Sequence, residues 1–420
     1  MRHMPHFSFL RSRQFLPIFI AQALGAFTDN FYRNAMAVFI TFQLSQTLDM
    51  KAETLISMAA AVFILPFFLF SAIAGQIADR VAKHQLVRKL KAVECLLSAI
   101  AAFSLFMGNP WLMLFSLFLL GTQAAVFGPV KYAILPELLP RDQLLKANAI
   151  VEAGTFVAVL AGTLLGGLLV LQTHGLWMVA AIMVFASMVG FIAALQVPAL
   201  QAPVVQSRMS WNIVRATGRV LRAARAPALL HPVLGISWFW ALGAVYLTQF
   251  PIFAKQVFGG NEQVVTFLYA LFSIAIAVGS WSSSALFKGR GVKTALVALA
   301  VFGCDLAYVI SGLSAEGELM GVREFLQQPD AIRVVIDITL IAIAGGVFVV
   351  PLYTALQLYA DAGERAQVIA ANNVVNSLCI TVTAVATAIA YGMGIVVQEV
   401  FLGVAILSVV AAIAVWLVRR

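Results

Sequence analysis

The sequence predicts an all-α membrane protein of twelve transmembrane helices in two six-helix bundles. Three observations carry this. The 420 residues are 62% hydrophobic and only 11% charged, whereas a soluble domain averages about 25% charged. An aqueous fold could not cover so much apolar surface. The apolar runs are each about 17–25 residues long, enough to cross roughly 30 Å of hydrocarbon as helices. Alternation at period two is absent, which argues against a transmembrane barrel.

In order, the runs fall at 15–44 (kinked or with loose ends), 55–78, 92–108, 111–128, 146–171, 176–197, 232–254, 263–286, 292–313, 333–354, 366–391 and 395–417. Loops on one side carry 22 Lys and Arg, among them Arg80, Lys83, Arg88, Lys89 and Lys91. Loops on the other side carry four, Lys51, Lys255, Arg323 and Arg333. Basic residues collect on the cytoplasmic side, so both termini are expected there. The same bias accounts for the net charge of +9 without any nucleic-acid partner. Arg11 and Arg13 precede a full-length first run, so no cleavable signal peptide is expected.

The longest polar connection, from Pro198 to His231, divides the chain into a bundle at 1–200, a cytoplasmic linker at 201–231 and a bundle at 232–420. Arg215, Arg219 and Arg222 share a helical face with Trp211, Val214 and Leu221 away from it. Segment 208–224 therefore reads either as an interfacial helix on anionic headgroups or as a solvated linker. Internal duplication is expected. Ala23-Leu24-Gly25-Ala26 recurs as Ala241-Leu242-Gly243-Ala244, and the stretch from Phe127 to Ile150 has a counterpart from Phe348 to Val375.

Asp29, Asn30 and Arg33 lie inside the first run. An unpaired charge at mid-bilayer costs at least ~2.5 kcal/mol. Asp29 and Arg33 are one helical turn apart and share a face that continues through Ala26 to Gln22. Such a stripe reads as the wall of a cavity binding a charged or zwitterionic group, with Asn30 and Asn34 flanking. The alternative is a structural pair locking this helix to a neighbour. Asn148 and Glu152, one turn apart, form a second candidate, either meeting a cationic amine or acting as a gating salt bridge. Gln123, Phe127 and Lys131 share a face. Lys131, beside Tyr132, either attracts a phosphate or snorkels to the interface. Glu137 and Arg141 read as gate or solvated surface. The later half is poorer in charge, with Asp305, Asp337 and an asparagine group at Asn372, Asn373 and Asn376. Trp238 and Tyr246 are candidates to face an acyl tail. This contrast suits an amphipathic substrate, with its head against the first half and its tail against the second. Gly162 and Gly166 read as a close helix approach, and Gly345-Gly346 as a flexible point.

Enzyme chemistry is not expected. There is no G-x-x-x-x-G-K-[ST], G-x-S-x-G or H-E-x-x-H. The five histidines never form ligand spacing, so no metal or cofactor is expected. Cys95, Cys304 and Cys379 lie in apolar runs and read as core packing.

Gly75-Gln76-Ile77-Ala78-Asp79-Arg80 resembles the G-x-x-x-D-R loop signature of the major facilitator superfamily, although Val81-Ala82-Lys83-His84 replaces the usual following residues. The stretches from Ala21 to Asn30, from Phe127 to Glu137 and from Leu145 to Glu152 resemble the bacterial lysophospholipid transporters. That resemblance implies the major facilitator fold and a flippase moving lysophosphatidylethanolamine-like lipids from the outer to the inner leaflet of the bacterial inner membrane. It implies a separate acyltransferase/acyl-carrier-protein synthetase as functional partner; a monomer is expected. By motif it assigns Asp29, Asn30, Lys131 and Glu152 to a polar cavity, and Asp79 and Arg80 to gating. The alternative within transport is a proton-coupled drug or small-solute exporter.

Overall fold

The computed structural model describes residues 8–44, 52–202, 209–315 and 318–417. Arg2, Lys51, Arg208, Arg419 and Arg420, all counted in the charge bias, lie outside them. Apart from an isolated β-bridge between Gly260 and Met320, the described elements are helices: α1 (Leu16–Phe39), α2 (Ala52–Ala78), α3 (Lys83–Met107), α4 (Pro110–Ala133), α5 (Leu135–Leu138), α6 (Leu144–Val170), α7 (Gly175–Leu195), α8 (Ile213–Ala223), α9 (Pro227–Phe258), α10 (Glu262–Ala285), α11 (Val292–Ile310), α12 (Val322–Phe325), α13 (Ala331–Tyr359), α14 (Arg365–Gly392) and α15 (Val397–Leu417). Eleven helices among the described residues are long and apolar enough to cross a membrane. At 24 residues α1 is long enough too. It falls below those eleven in hydropathy because Gln22, Thr28, Asp29, Asn30, Arg33 and Asn34 sit within it. A π-helical turn over Ile40–Leu44 follows it.

Local chemistry sets the boundaries. Between α3 and α4, Gly108 takes the left-handed conformation at φ 61° that closes a helix. Asn109 then caps the next helix, its side chain accepting from the Trp111 and Leu112 amides at 2.9 and 3.2 Å. Pro110 occupies the first turn, where its missing N–H costs nothing. Helix α3 begins nine residues before the expected position at 92, because the basic run 83–91 is itself helical. That difference moves Lys91 from a loop into the helix.

The chain forms two compact units. The first comprises 1–147, 158–234 and 354–377, and the second 148–157, 235–353 and 378–420. In the first, Phe31, Tyr32, Met36, Leu117 and Met183 belong to one buried core. The Tyr32 hydroxyl is tied to Ser104 Oγ at 2.8 Å and donates to the Met113 carbonyl at 3.1 Å. Gly162 and Gly166 bring α6 onto the backbone of α1. A Cβ at these positions would lie 2.4 Å from the Phe27 carbonyl oxygen and 2.3 Å from that of Phe31. In the second unit Gly279 and Gly346 do the same for α10 and α13. Gly345-Gly346, the flexible point expected from sequence, lies at this close contact. The cysteines also depart from expectation, since Cys304 is exposed and Cys95 and Cys379 are only partly covered.

The linker helix α8 is shorter than the expected 208–224. Asn212 caps it by accepting from the Arg215 amide at 2.9 Å. Ala216 and Val220 are buried, and Gln76 of α2 receives the Ser210 amide at 3.0 Å and Arg219 Nη1 at 3.3 Å. Its free face therefore combines Val214 with Arg215 and Arg222, all exposed, instead of segregating arginine from apolar residues.

Candidate functional site

In the first unit α1, α3 and α4 bring ionisable groups together. Asp29 and Asn30 are half-buried on α1. The charges surrounding Asp29 are Glu94, Lys91, Arg33 and Lys131. Arg33 Nη2 donates to Asn30 Oδ1 at 2.5 Å, and its guanidinium lies 5.5 Å from the centre of the Phe63 ring. Asn30 itself donates to the Ala26 carbonyl at 2.8 Å. Asn34 turns elsewhere. Its Nδ2 donates to the Thr163 carbonyl at 2.6 Å, fastening α1 to α6.

Lys91 and Glu94 were not among the residues expected at this site. Both are fully buried on α3, and Lys91 Nζ reaches the two carboxylate oxygens of Glu94 at 2.8 and 2.7 Å. Gln123 of α4 donates to the same carboxylate at 2.9 Å. The ammonium lies 5.2 Å from the centre of the Phe127 ring. Gly25 leaves the room for it, since a Cβ there would come 2.8 Å from Nζ. The face of Gln123, Phe127 and Lys131 noted in the sequence is thus the wall that receives this pair. Lys131 is half-buried at the end of α4, with its Nζ 4.8 Å from the centre of the Tyr132 ring. Tyr132 is buried, and its carbonyl accepts from Gln357 at 3.0 Å.

A second cluster lies at the end of α2. Asp79 is fully buried and accepts from the amides of Ala366 and Gln367 at 2.9 and 3.0 Å, and from Gln367 Nε2 at 3.2 Å. These are first-turn amides of α14, which have no intrahelical partners and favour an anion. One turn earlier, Gly75 lies against the same helix, where a Cβ would come 2.7 Å from that of Ala370. The glycine and the aspartate of the motif thus serve one contact, a close approach and a helix cap. Burial pushes the Asp79 carboxyl up to about 6, against the lowering effect of the α14 amides, Lys83 and Gln367. Lys83, fully buried, pairs with Glu137 at 2.6 Å. Arg80 donates to the Gln76 carbonyl of its own helix at 2.6 Å, and Arg141 is exposed. Asp79 thus joins the end of α2 to α14, and Glu137 joins α5 to Lys83.

The second unit holds Asn148 and Glu152, both fully buried. It also contains an apolar cleft lined by Phe239, Leu242, Tyr246, Phe272, Leu299 and Ile341, among others. Tyr246 lines this cleft, but Trp238 does not.

A charged cluster inside an apolar helical scaffold, with a capped loop motif after its second helix, fits a membrane carrier. The family model of the Major Facilitator Superfamily matches residues 18–384, and the chain belongs to that superfamily. It is therefore a transporter rather than an enzyme, and it is related to the bacterial lysophospholipid transporters. The lysophospholipid transporter LplT of Escherichia coli O1:K1 is 27% identical over 98% of this chain and 97% of its own length. LplT of E. coli O139:H28 (strain E24377A) is 28% identical over the same shares. Among solved structures, the human organic anion transporter MFSD10 gives a TM-score of 0.72 at 12% identity, covering 96% of this chain and 99% of its own. A bacterial homologue of the iron transporter ferroportin in an outward-facing state gives 0.68 at 13% identity, covering 95% and 98%. At these identities the structural likeness concerns the fold.

Proposed function

We propose that this protein is a lysophospholipid flippase, carrying lysophosphatidylethanolamine-like lipids from the outer to the inner leaflet of a bacterial inner membrane. The observation that carries this reading is the surrounding of half-buried Asp29 by Lys91, Glu94, Arg33 and Lys131, in a chain related along its length to lysophospholipid transporters. A zwitterionic headgroup needs both signs of charge within a short reach, and this cluster offers both. In this reading α1 is the twelfth span, 1–200 and 232–420 are the two bundles, and both termini are cytoplasmic. Asp29 and Glu152 receive the ammonium, Arg33 and Lys131 the phosphate, and Asn30, Tyr132 and Asn148 flank them. The tail takes the apolar side that Tyr246 lines.

Transport then follows from rocking of the two bundles about the site. A tail that stays in lipid gains little, so the protein's main task is to lower the cost of carrying the headgroup across. Asp79 on α14 and Glu137 on Lys83 act as the cytoplasmic latch, with Arg80 and Arg141 beside them. A monomer suffices for this cycle, and a separate acyltransferase/acyl-carrier-protein synthetase would restore the second chain.

Buried carboxylates at Glu94 and Asp79 keep a second reading in view, that of a proton-coupled drug or small-solute exporter. Reconstituted protein separates the two. Lysolipid movement without an imposed pH gradient supports the flippase. Proton-dependent efflux of a soluble compound, with no lysolipid movement, overturns it.

A further inference from the structure

The linker helix α8 has no part in the transport path above. One stripe of it is committed to the first unit. Ala216, Val220 and Ala224 follow one another at four-residue spacing and are buried. The Ser210 amide and Arg219 Nη1 meet Gln76 of α2 at 3.0 and 3.3 Å. Gln76 lies two residues before the end of α2, inside the motif that carries Asp79. The helix therefore sits at the rim of the first unit, where the apolar stretch of α2 ends. The chain leading towards it is fastened at the start of α3. The Leu200 amide donates to His84 Nδ1 at 3.0 Å, and Arg88 Nη2 donates to the Val197 carbonyl at 2.9 Å. The opposite side of α8 is open. Arg215 and Arg222 are exposed, as is Arg225 just past the helix. Val214 is 80% exposed, and Trp211, just before the capping Asn212, is 71% exposed. Between 198 and 231 there are five arginines and no aspartate or glutamate, so nothing within the linker answers this charge.

We infer that the open face of α8 docks on anionic phospholipid headgroups of the leaflet at this rim. Cations and apolar side chains intermingle on it, which suits the boundary where headgroups meet acyl chains. Tryptophan favours that depth, and basic residues beside a membrane favour anionic lipids over neutral ones. Arg215, Arg222 and Arg225 take the phosphates, for which the planar guanidinium offers paired donors. Trp211 and Val214 enter the boundary beneath them. Ala216, Val220 and Ala224 stay on the protein, so one short helix holds protein on one side and lipid on the other. The contacts at Gln76, His84 and Arg88 favour the membrane over a soluble acidic partner, because they hold the face at the rim, where lipid is always within reach. This inference is independent of which substrate the protein carries.

The test reads lipid contact and is independent of translocation. Full-length protein with Cys95, Cys304 and Cys379 replaced by alanine, and with Val214→Cys carrying a fluorophore, is placed in phosphatidylcholine nanodiscs. These contain, as an equal minor component, either brominated phosphatidylglycerol or brominated phosphatidylcholine, which quench the label on contact. Quenching by the brominated phosphatidylglycerol is expected to be about fivefold stronger, the preference that even one arginine at the surface confers. Arg215→Gln, Arg222→Gln and Arg225→Gln together should bring the two quenchers level. Equal quenching by both lipids before any arginine is changed overturns the inference. So does an absence of quenching by either, the result expected if the face meets water or a soluble partner. A preference that survives the loss of all three arginines in folded protein overturns their role. Lysolipid flipping enters none of these outcomes, so a failure of the transport reading leaves them standing.

Discussion

A lysine without exposed surface is tolerable inside a membrane bundle only while its charge is answered. Lys91 is answered by Glu94, with the Phe127 ring beneath it. Breaking such a pair by removing one partner costs about 3–5 kcal/mol, whereas replacing both with apolar groups is far cheaper. Lys91→Met and Glu94→Met should therefore each lower stability markedly, and the two together should regain most of the loss. A thermal-unfolding double-mutant cycle in detergent checks this, and additive losses would show that the two charges do not depend on each other. The sequence hid this pair because Lys91 closes the basic run that topology assigns to a loop. A signal was present all the same. Val87, Lys91, Glu94, Ser98, Ala101 and Leu105 fall at helical spacing, and all are buried. Asp29, by contrast, was legible, because a lone carboxylate in an apolar run has no bland surroundings to disappear into. Asp79 supplies the pH dependence at this scale. Its carboxyl, pushed up to about 6 by burial, holds a proton more tightly when docked on α14 than an exposed carboxyl near 3.8 would. Docking should therefore strengthen as pH falls from about 6 towards 4, and be weakest above 6 by up to about 3 kcal/mol. In a cysteine-free background, a cysteine replacing Ala366 should react more slowly at pH 5 than at pH 7.5, once normalised to an exposed cysteine. Equal normalised rates would remove Asp79 as the titrating group.

At the scale of helices, hydropathy located the apolar runs well, and the ends followed from caps such as Asn109 and Gly108. It failed where charge and helix coincide, as at the start of α3, because a window that seeks apolar residues stops at the first basic run. The partners of each helix were not legible, since composition does not say which face meets which neighbour. Gly162 and Gly166 were an exception, marking a backbone approach that proves to be with α1. This contact fixes the helix that carries Asp29. Gly166→Val would force side-chain atoms into the Phe31 carbonyl and should lower stability by about 1–3 kcal/mol. Gly218→Ala in α8 meets nothing within 4 Å and should be neutral or stabilising by up to ~1 kcal/mol. Paired unfolding measurements decide this, and equal losses at both sites would mean that the glycines of α6 serve no close packing. The same reasoning explains the linker. Its arginines were visible in sequence, but only contact with Gln76 determines that Ala216 and Val220 are the covered stripe.

For the whole molecule, the proposed function rests on a division of labour along the sequence: charged residues of 1–200 take a headgroup, and apolar residues of 232–420 take a single tail. That the chain is a helical, multi-span membrane protein was readable from composition, because a bilayer imposes one length and one polarity on every crossing. The substrate proposed above was not readable that way. It came from three motif stretches whose residues, Asp29, Lys131 and Glu152 among them, carry charge where the fold otherwise excludes it. The most direct measurement is leaflet-resolved movement of fluorescent lipids in proteoliposomes, comparing lysophosphatidylethanolamine with two-tailed phosphatidylethanolamine. Unmutated protein should move the single-tailed lipid faster than protein-free vesicles do and leave the two-tailed lipid at the background rate. Asp29→Asn, at matched protein level, should reduce lysolipid movement to that background. Equal movement of both lipids, or undiminished lysolipid movement by Asp29→Asn, would contradict the account.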